Sequence, residues 1–387
     1  MHFKRDAKRY DAYLLKTMKK SLLITIDFYP TVGGISNYWH ALSSHLPSDK
    51  WIVLAPKLPK DIEEMKAPYR IYRRKFFSAF MKPKWLPLFF HIIDIIKKEK
   101  IEKIVVAQLL PIGTAVWLIS KLFKIQYLVS VHGMDISLPL RSRRKKMICR
   151  HILMGADHII ANSKYTGGLL KNYVPSLVFQ SIYPCPTITS SLIQSDSTAP
   201  ESLPENKKIL LTVGRLVKRK GHEDVICALK DVLKVVPNLC YVIVGDGGYK
   251  QELFDLVEEE GLTDAVLFVG EVSDSEVAKW YRASTVCIMT SKELRGDVEG
   301  FGIVYLEANA FGKPVIASRS GGVEEAVMHG VTGIVVEPEN IEQIKEELIT
   351  LFTNSKLAAD LGQRGNERVN KEFQWSVQAK KLESLLG

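Results

Sequence analysis

Two successive series of short, apolar, β-branched runs, each run followed by a longer stretch of helical periodicity, constrain this chain more than any other feature. Runs of strand length that stay apolar on both faces belong to parallel sheets covered by helices. The first series reads SLLITIDF (21–28), WIVLAP (51–56), KIVVAQ (103–108), QYLVSVHG (126–133) and DHIIANS (157–163). Near residues 186–206 the pattern lapses into a stretch rich in Ser, Thr and Pro, the expected linker. A second series follows: KKILLTVG (207–214), LCYVIVG (239–245), AVLFVG (265–270), TVCIMTS (285–291), KPVIAS (313–318) and TGIVVEP (332–338). The expectation is an α/β chain of two Rossmann-like domains, 21–185 and 207–372, whose strand carboxyl ends face each other across a ligand cleft. The aromatic and leucine positions of 373–387 predict a final amphipathic helix that packs back on the first domain.

Composition supports two cores. The 387 residues are 46% hydrophobic and 25% charged, which leaves little room for extensive disorder. The net charge of +10 conceals an asymmetry: residues 1–185 hold 31 Lys and Arg against 12 acids, and residues 186–387 hold 22 against 31. Such a bias predicts that the first half faces something anionic, a membrane surface or a nucleic acid. Residues 1–20 read as a basic leader without the apolar core of a secretory signal, and no chemistry is assigned to them. The longest uncharged stretch, Ile104 to Ser120, is shorter than a bilayer span and contains Gln108, Pro111 and Gly113, so it reads as strand, turn and helix start. Five scattered cysteines without a C-x-x-C pair fit reduced thiols and a cytoplasmic protein.

The chemistry concentrates on three strand-to-helix turns. After the first strand comes Tyr29-Pro30-Thr31-Val32-Gly33-Gly34-Ile35-Ser36, where N–H groups at a helix start can hold a phosphate; a simple tight turn is the plainer alternative. No G-x-G-x-x-G with an acid about 20 residues on is present, which argues against a dehydrogenase. The second series opens with Gly214-Arg215-Leu216-Val217-Lys218-Arg219-Lys220-Gly221, cations on a glycine-bounded loop suited to a diphosphate. Then comes Glu299-Gly300-Phe301-Gly302-Ile303, with Glu307 further along a helix that opens near Gly302. Carboxylates at this spacing can touch different parts of one extended ligand but do not flank a single scissile bond as a hydrolytic pair must.

Taken in order, Gly33-Gly34, His132-Gly133-Met134-Asp135, Gly214-Arg215 with Lys220-Gly221, Glu299 to Gly302 with Glu307, and Ser320-Gly321-Gly322 with Glu325 resemble the successive motifs of the retaining GT-B glycosyltransferases, glycosyltransferase family 4, over nearly the whole chain after Met18. The resemblance implies a metal-independent hexosyltransferase that uses a nucleotide-diphosphate sugar as substrate and holds no cofactor. Under it, Arg215 and Lys220 neutralise the donor diphosphate and the leaving-group charge. Glu307 accepts from the ribose hydroxyls, and Glu299 with the amides of Phe301, Gly302 and Ile303 holds the sugar and its phosphate. Gly33 and Gly34 line the donor diphosphate or the acceptor side, Gly214 lines the donor, and His132 hydrogen-bonds the donor sugar near its reacting carbon.

One departure separates this chain from many of those relatives: Lys292-Glu293-Leu294-Arg295-Gly296-Asp297-Val298 intervenes before the Glu299 loop. That loop with GIVYLEA is similar to bacterial mannosyltransferases acting on phosphatidylinositol-type lipids with GDP-mannose; a UDP-sugar-dependent transferase of surface polysaccharide synthesis is the alternative. The acceptor is expected to be a glycan or lipid-linked. The clusters Arg70 to Phe77 and Arg141 to Lys146, the former next to Phe80, Met81 and Trp85 to Phe90, predict a peripheral protein on anionic lipid at the inner face of the membrane. Nucleic acid fits less well, because the aromatics cluster on one apolar segment and are not spaced for base stacking.

Overall fold

A computed structural model describes residues 18–31, 33–59, 62–64, 66–188, 192 and 199–387. Most of the basic leader and much of the 186–206 linker lie outside the described residues. The chain divides into two compact units, one made of the residues up to Pro184 together with Trp375–Gly387, the other of Cys185–Gln374.

The first unit contains β1 (Ser21–Ile24), β2 (Trp51–Pro56), β3 (Arg70–Arg74), β4 (Lys103–Val106), β5 (Gln126–Val131), β6 (His158–Ala161) and β7 (Gln180–Ser181). Every pairing is parallel, in the order β3-β2-β1-β4-β5-β6-β7. Its helices are α1 (Gly34–Ser43), α2 (Leu86–Glu99), α3 (Ile112–Phe123), α4 (Met134–Ser137), α5 (Arg143–Gly155) and α6 (Lys164–Gly168).

Alternate residues of these strands feed two layers. Leu22, Ile24, Ile104 and Val106 bury with Leu88, Ile92 and Ile95 of α2, Ile112 and Val116 of α3, and Ile152 of α5. Leu23, Val53 and Val105 bury on the other side with Trp39 and Leu42 of α1 and with Ala379, Leu382 and Leu386 of the C-terminal helix Trp375–Leu386. Each of those leucines is worth about 1.5–3 kcal/mol when taken out of water. Buried Lys103 also donates to the Leu385 and Gly387 carbonyls, which secures the chain end at the base of β4.

The expected helix after β2 is not found among the described residues, and the Arg70 to Lys75 cluster is not the free cationic surface that its composition suggested. RIYRR is an edge strand. Arg70 pairs with buried Glu99, whose other partners are Lys20 and Tyr72, and Arg73 grips Glu64 through both Nε and Nη2. Phe76 is buried, the loop after it exposes Phe77, Phe80 and Met81, and the helix that follows turns Leu88, Ile92 and Ile95 to the core while Phe90 stays exposed.

The second unit contains β8 (Lys208–Val213), β9 (Leu239–Val244), β10 (Val266–Gly270), β11 (Val286–Met289), β12 (Val315–Ser318) and β13 (Ile334–Val336), again all parallel, in the order β10-β9-β8-β11-β12-β13. Its helices are α7 (His222–Val235), α8 (Lys250–Glu259), α9 (Asp274–Ala283), α10 (Ile303–Ala310), α11 (Val323–Ala326), α12 (Ile341–Thr353) and α13 (Ser355–Glu372). Counted within each unit the first six strands run 3-2-1-4-5-6, the doubly wound order of Rossmann-like sheets. Direction reverses beside β1 and beside β8, and ligands of such sheets bind at the strand carboxyl ends there. No helix among the described residues is long and apolar enough to cross a membrane.

Candidate functional site

In the second unit the reversal lies between β8 and β11, so the loops that leave these two strands are neighbours. The loop after β8 carries Gly214 to Gly221, its last part a 3-10 turn over Lys218–Lys220. Gly221, at φ 72, approaches the next loop so closely that a Cβ would sit 2.1 Å from the Thr290 carbonyl oxygen. Gly245, at φ 136, and Gly247 do the same from the loop after β9, where a Cβ would meet the Gly214 and Leu216 carbonyls at 2.1 and 2.3 Å. Leu216 N–H donates to the Asp246 carbonyl, and Tyr249 N–H to the Leu216 carbonyl. The Arg215 loop is thereby seated without side chains between it and its neighbours.

The loop after β11 opens into a two-residue hairpin. Leu294 and Asp297 exchange both backbone hydrogen bonds, and Arg295 and Gly296 have φ of 54° and 80°, as a type I′ turn demands. The segment that departs from many relatives is therefore this tight turn, and it delivers Asp297 and Glu299 back to the cationic loop.

Glu299 is held on one oxygen. Its Oε2 receives Lys220 Nζ at 2.6 Å, Arg219 Nη1 at 3.1 Å and Ser291 Oγ at 3.3 Å. Among the described residues no hydrogen bond reaches Oε1, so one lone-pair face is left for a ligand donor. Burial opposes its charge, but Lys220 and Arg219 outweigh burial and hold the carboxyl at about 2. Asp297 lies 3.2 Å from Arg219 Nε. The backbone is fixed as well: Gly322 N–H donates to the Glu299 carbonyl, and Gly321, at φ 56, passes so near that a Cβ would be 2.1 Å from that oxygen. Arg215 is exposed, and its guanidinium has no partner among the described residues.

Helix α10 begins after Gly302, which has φ 87 and no side-chain cap. Phe301 is buried against the Phe373 ring, with 5.8 Å between centroids, and Ile303 opens the helix. About one turn on, Glu307 is only 6% exposed. Its Oε1 takes Thr187 Oγ1 at 2.7 Å and Thr187 N–H at 3.3 Å, and its Oε2 takes Tyr281 OH at 3.1 Å. Burial raises its pKa, partly offset by these donors. Glu307 thus sits apart from the Lys220–Glu299 cluster, with donors already on both oxygens.

In the first unit, Gly33 and Gly34 stand at the start of α1, and a Cβ added to either would meet nothing within 4 Å. This is open space and not a packed turn. At the end of β5, His132 is half-buried, its Nε2 3.1 Å from Ser130 Oγ and its ring edge-on to Tyr38 at 5.2 Å. Burial lowers its pKa to about 4, so the imidazole is neutral at physiological pH. The Asp135 carboxylate accepts the His132 and Gly133 N–H groups, both at 2.9 Å, and fixes the strand end. Its other oxygen is buried without a partner, and burial raises its pKa to about 6.

The sequence reading singled out Lys220 and Glu299, and the structure joins them. It did not find Arg219 and Ser291 as partners of Glu299, or Thr187 and Tyr281 as partners of Glu307. Arg219 lay in the basic loop it quoted, but nothing local marked it as the cation that would turn inward.

Comparisons with known proteins bear on the family and the fold. A family model described as glycosyl transferases group 1 matches residues 194–368, and one described as Glycosyltransferase Family 4 matches residues 32–178. A GDP-mannose-dependent alpha-(1-6)-phosphatidylinositol monomannoside mannosyltransferase of Mycobacterium tuberculosis is 28% identical, the match covering 95% of this chain and 98% of that one. A GDP-mannose-dependent monoacylated alpha-(1-6)-phosphatidylinositol monomannoside mannosyltransferase of Corynebacterium glutamicum is 26% identical over 96% and 99% of the two chains. Among solved structures, the sucrose-phosphate synthase of Thermosynechococcus elongatus superposes with a TM-score of 0.73 at 23% identity, over 94% of this chain and 97% of that one, a likeness of fold.

Proposed function

Because the chain belongs to the group 1, family 4 glycosyltransferases and has their GT-B fold of two Rossmann-like domains, we propose that it transfers a hexose, mannose before others, from a nucleotide-diphosphate sugar to a lipid-linked or glycan acceptor, with retention of configuration and without a metal ion. The observation that carries this reading is the cationic loop at the β8 reversal, where Arg215 is unpaired and Lys220 meets a Glu299 whose second oxygen is open. Arg215 and Lys220 take the diphosphate and stabilise the charge that grows on it as the bond from the anomeric carbon to the phosphate oxygen breaks. The acceptor oxygen attacks the same face, and its proton passes to the departing phosphate. Glu299 Oε1 accepts a sugar hydroxyl, and neutral His132 is suited to a hydrogen bond near the reacting carbon. Glu307 is assigned to the ribose, with Thr187 and Tyr281 holding it. GDP-mannose is favoured over UDP-sugars because the two mannosyltransferase relatives are GDP-mannose-dependent.

A donor screen tests the reading. GDP-mannose, UDP-glucose, UDP-N-acetylglucosamine and UDP-galactose are each incubated with a phosphatidylinositol mannoside acceptor, and nucleotide release and the anomeric configuration of the product are measured. Release from GDP-mannose with an α product, unchanged by a chelator, is expected; an inverted product or a restored metal requirement overturns the mechanism.

The acceptor reading includes an anionic membrane surface. Helices α2, α3 and α5 cover one face of the first sheet, and outward they expose Phe90, Leu122, Phe123, Met147 and Met154 beside Lys97, Lys98, Lys121, Lys124 and Arg143 to Lys146. Phe80 is fully exposed on the preceding loop with Lys82 and Lys84. Cations beside exposed apolar side chains suit anionic lipid, each cation adding about 1 kcal/mol. Sedimentation with phosphatidylglycerol vesicles is expected at low salt and is expected to weaken as salt rises; protein that stays in the supernatant refutes the membrane reading.

A further inference from the structure

The loop that carries Glu299 begins with a buried lysine that the reaction does not use. Lys292 is 5% exposed, and its Nζ lies 2.9 Å from Glu223 Oε1, 3.4 Å from Asp224 Oδ1 and 3.1 Å from Glu339 Oε1. Its own N–H donates to the Arg219 carbonyl at 2.8 Å. Glu223 and Asp224 stand in the first turn of α7, immediately after the turn that presents Lys220. One residue therefore grips the cationic segment twice, by its backbone at Arg219 and by its side chain at Glu223 and Asp224. Thr290 adds a third tie through its Oγ1 to the Gly221 carbonyl at 2.7 Å.

The charge balance shows how much depends on this side chain. Three carboxylates surround one ammonium, and Glu223 Oε2 and Asp224 Oδ2 are buried with no hydrogen-bond partner. Burial by itself would lower the Lys292 pKa, but the carboxylates raise it above the ordinary lysine value, so the ammonium stays charged. Burial raises the pKa of Asp224, against the pull of Lys292. Without Lys292 these acids would repel one another at the start of α7 and push the Lys220 turn away from β11.

We propose that Lys292 is a positioning residue that clamps the loop after β11 onto the Lys218–Lys220 turn and so sets the position of Lys220 for a nucleotide diphosphate. The proposal rests on the diphosphate reading of that loop for its ligand, but the clamp itself is measurable without one.

The test compares wild type, Lys292→Met and Lys292→Arg. Amide hydrogen exchange over residues 216–224 reads the clamp, and calorimetric titration with GDP and with UDP reads its consequence. Lys292→Met is expected to exchange at least about tenfold faster over that segment, with far-UV circular dichroism unchanged. It is expected to bind the nucleotide that wild type prefers about tenfold or more weakly, and with the matching donor sugar to lose kcat more than it raises KM, since a displaced charge costs most in the transition state. Lys292→Arg keeps a cation and is expected to recover exchange protection and most of the affinity. Unchanged exchange in Lys292→Met, or an Arg variant as impaired as the Met variant, overturns the clamp. If wild type binds neither nucleotide, the diphosphate reading fails while the exchange comparison still decides the clamp. Should Lys292→Met not fold, Glu223→Gln, which weakens the shortest side-chain tie to α7 and leaves the ammonium two other carboxylates, is expected to give the same pattern at a few-fold size, and normal exchange in it refutes the proposal.

Discussion

The two units share one strand order but place opposite chemistry at the reversal beside their first strands. In the second unit the loop after β8 brings Arg219 and Lys220 onto a carboxylate delivered from β11, with Arg215 and Lys218 exposed on the same loop, and backbones pack through glycines that tolerate no Cβ. In the first unit the loop after β1 carries no cation of its own; it holds exposed Asp27, and a single guanidinium, Arg73 from β3, reaches its Tyr29 carbonyl. Gln108 from the β4 end bonds Thr25, Tyr29 stacks on His40 with 4.4 Å between centroids, and Gly33 and Gly34 face open space. The fold thus supplies a crevice at each reversal, and the loop residues decide whether it is densely cationic and tightly packed or sparsely charged and open. Clustered cations suit a diphosphate that must leave; space with few charges suits a sugar or an acceptor hydroxyl that must be placed without being ionised.

Substitutions on the two sides probe this contrast most strongly through turnover. Arg215→Ala and Lys220→Ala are each expected to lower kcat by roughly two orders of magnitude, as the loss of a preorganised charge-stabilising donor does. His132→Ala, which removes a neutral hydrogen bond, is expected to cost closer to tenfold, about 1.4 kcal/mol. Steady-state kinetics with saturating acceptor measures both, and a His132 effect equal to or larger than the Lys220 effect would erase the distinction between the crevices.

Within the second unit, the two glutamates are expected to separate. Glu299→Ala is expected to lower kcat by roughly 10²-fold, because the proposed function puts its open oxygen on the reacting sugar, whereas Glu307→Ala is expected chiefly to raise the donor KM, about tenfold. The reverse split would exchange their assignments.

Alanine at two glycines sharpens the packing difference. Gly321→Ala is expected to destabilise by about 1–3 kcal/mol, since it combines a positive φ with a Cβ aimed at the Glu299 carbonyl. Gly34→Ala meets nothing and gains up to about 1 kcal/mol of helix propensity, so urea unfolding should show it at least as stable as wild type. If Gly34 lines a ligand, its variant should nonetheless lose activity. A destabilised Gly34→Ala would mean the first crevice is packed, not open.

The smallest expected effect is in acid. His132 and His222, one in each unit, are both lowered to about 4 by burial from an ordinary value of 6.5. Their contribution to stability is complete above pH 6.5 and is lost as pH falls toward 4, because the unfolded chain takes up the proton first. Asp135 in the first unit runs the other way: raised from 3.8 to about 6, it opposes folding at neutral pH and does so less as pH falls through 6. Asp135→Asn removes that opposing contribution, so from pH 7 to pH 5 the variant's first unit should lose more stability than the wild type's, by on the order of 1 kcal/mol. Amide exchange of the first unit in both proteins at the two pH values measures this, and equal losses would remove Asp135 as the compensating group.

The sequence by itself determined the alternation of strands and helices, because apolar β-branched runs leave no other way to bury both faces, and it marked the turns, because glycines and cations at strand ends restrict what a turn can be. β3 escaped it: Arg70, Arg73 and Arg74 read as surface until Glu99 and Glu64 arrive from elsewhere in the chain to neutralise two of them. The two-residue β7 has no period to detect. Only the tertiary structure decided which charges meet. Lys220 and Glu299 are far apart in the chain and become neighbours because β8 lies beside β11; the same adjacency turns Arg219 inward, buries Lys292 among three acids and gives Glu307 to Thr187. Periodicity and backbone freedom are local properties that a sequence carries along its length, whereas an ion pair depends on two loops brought together by strand order.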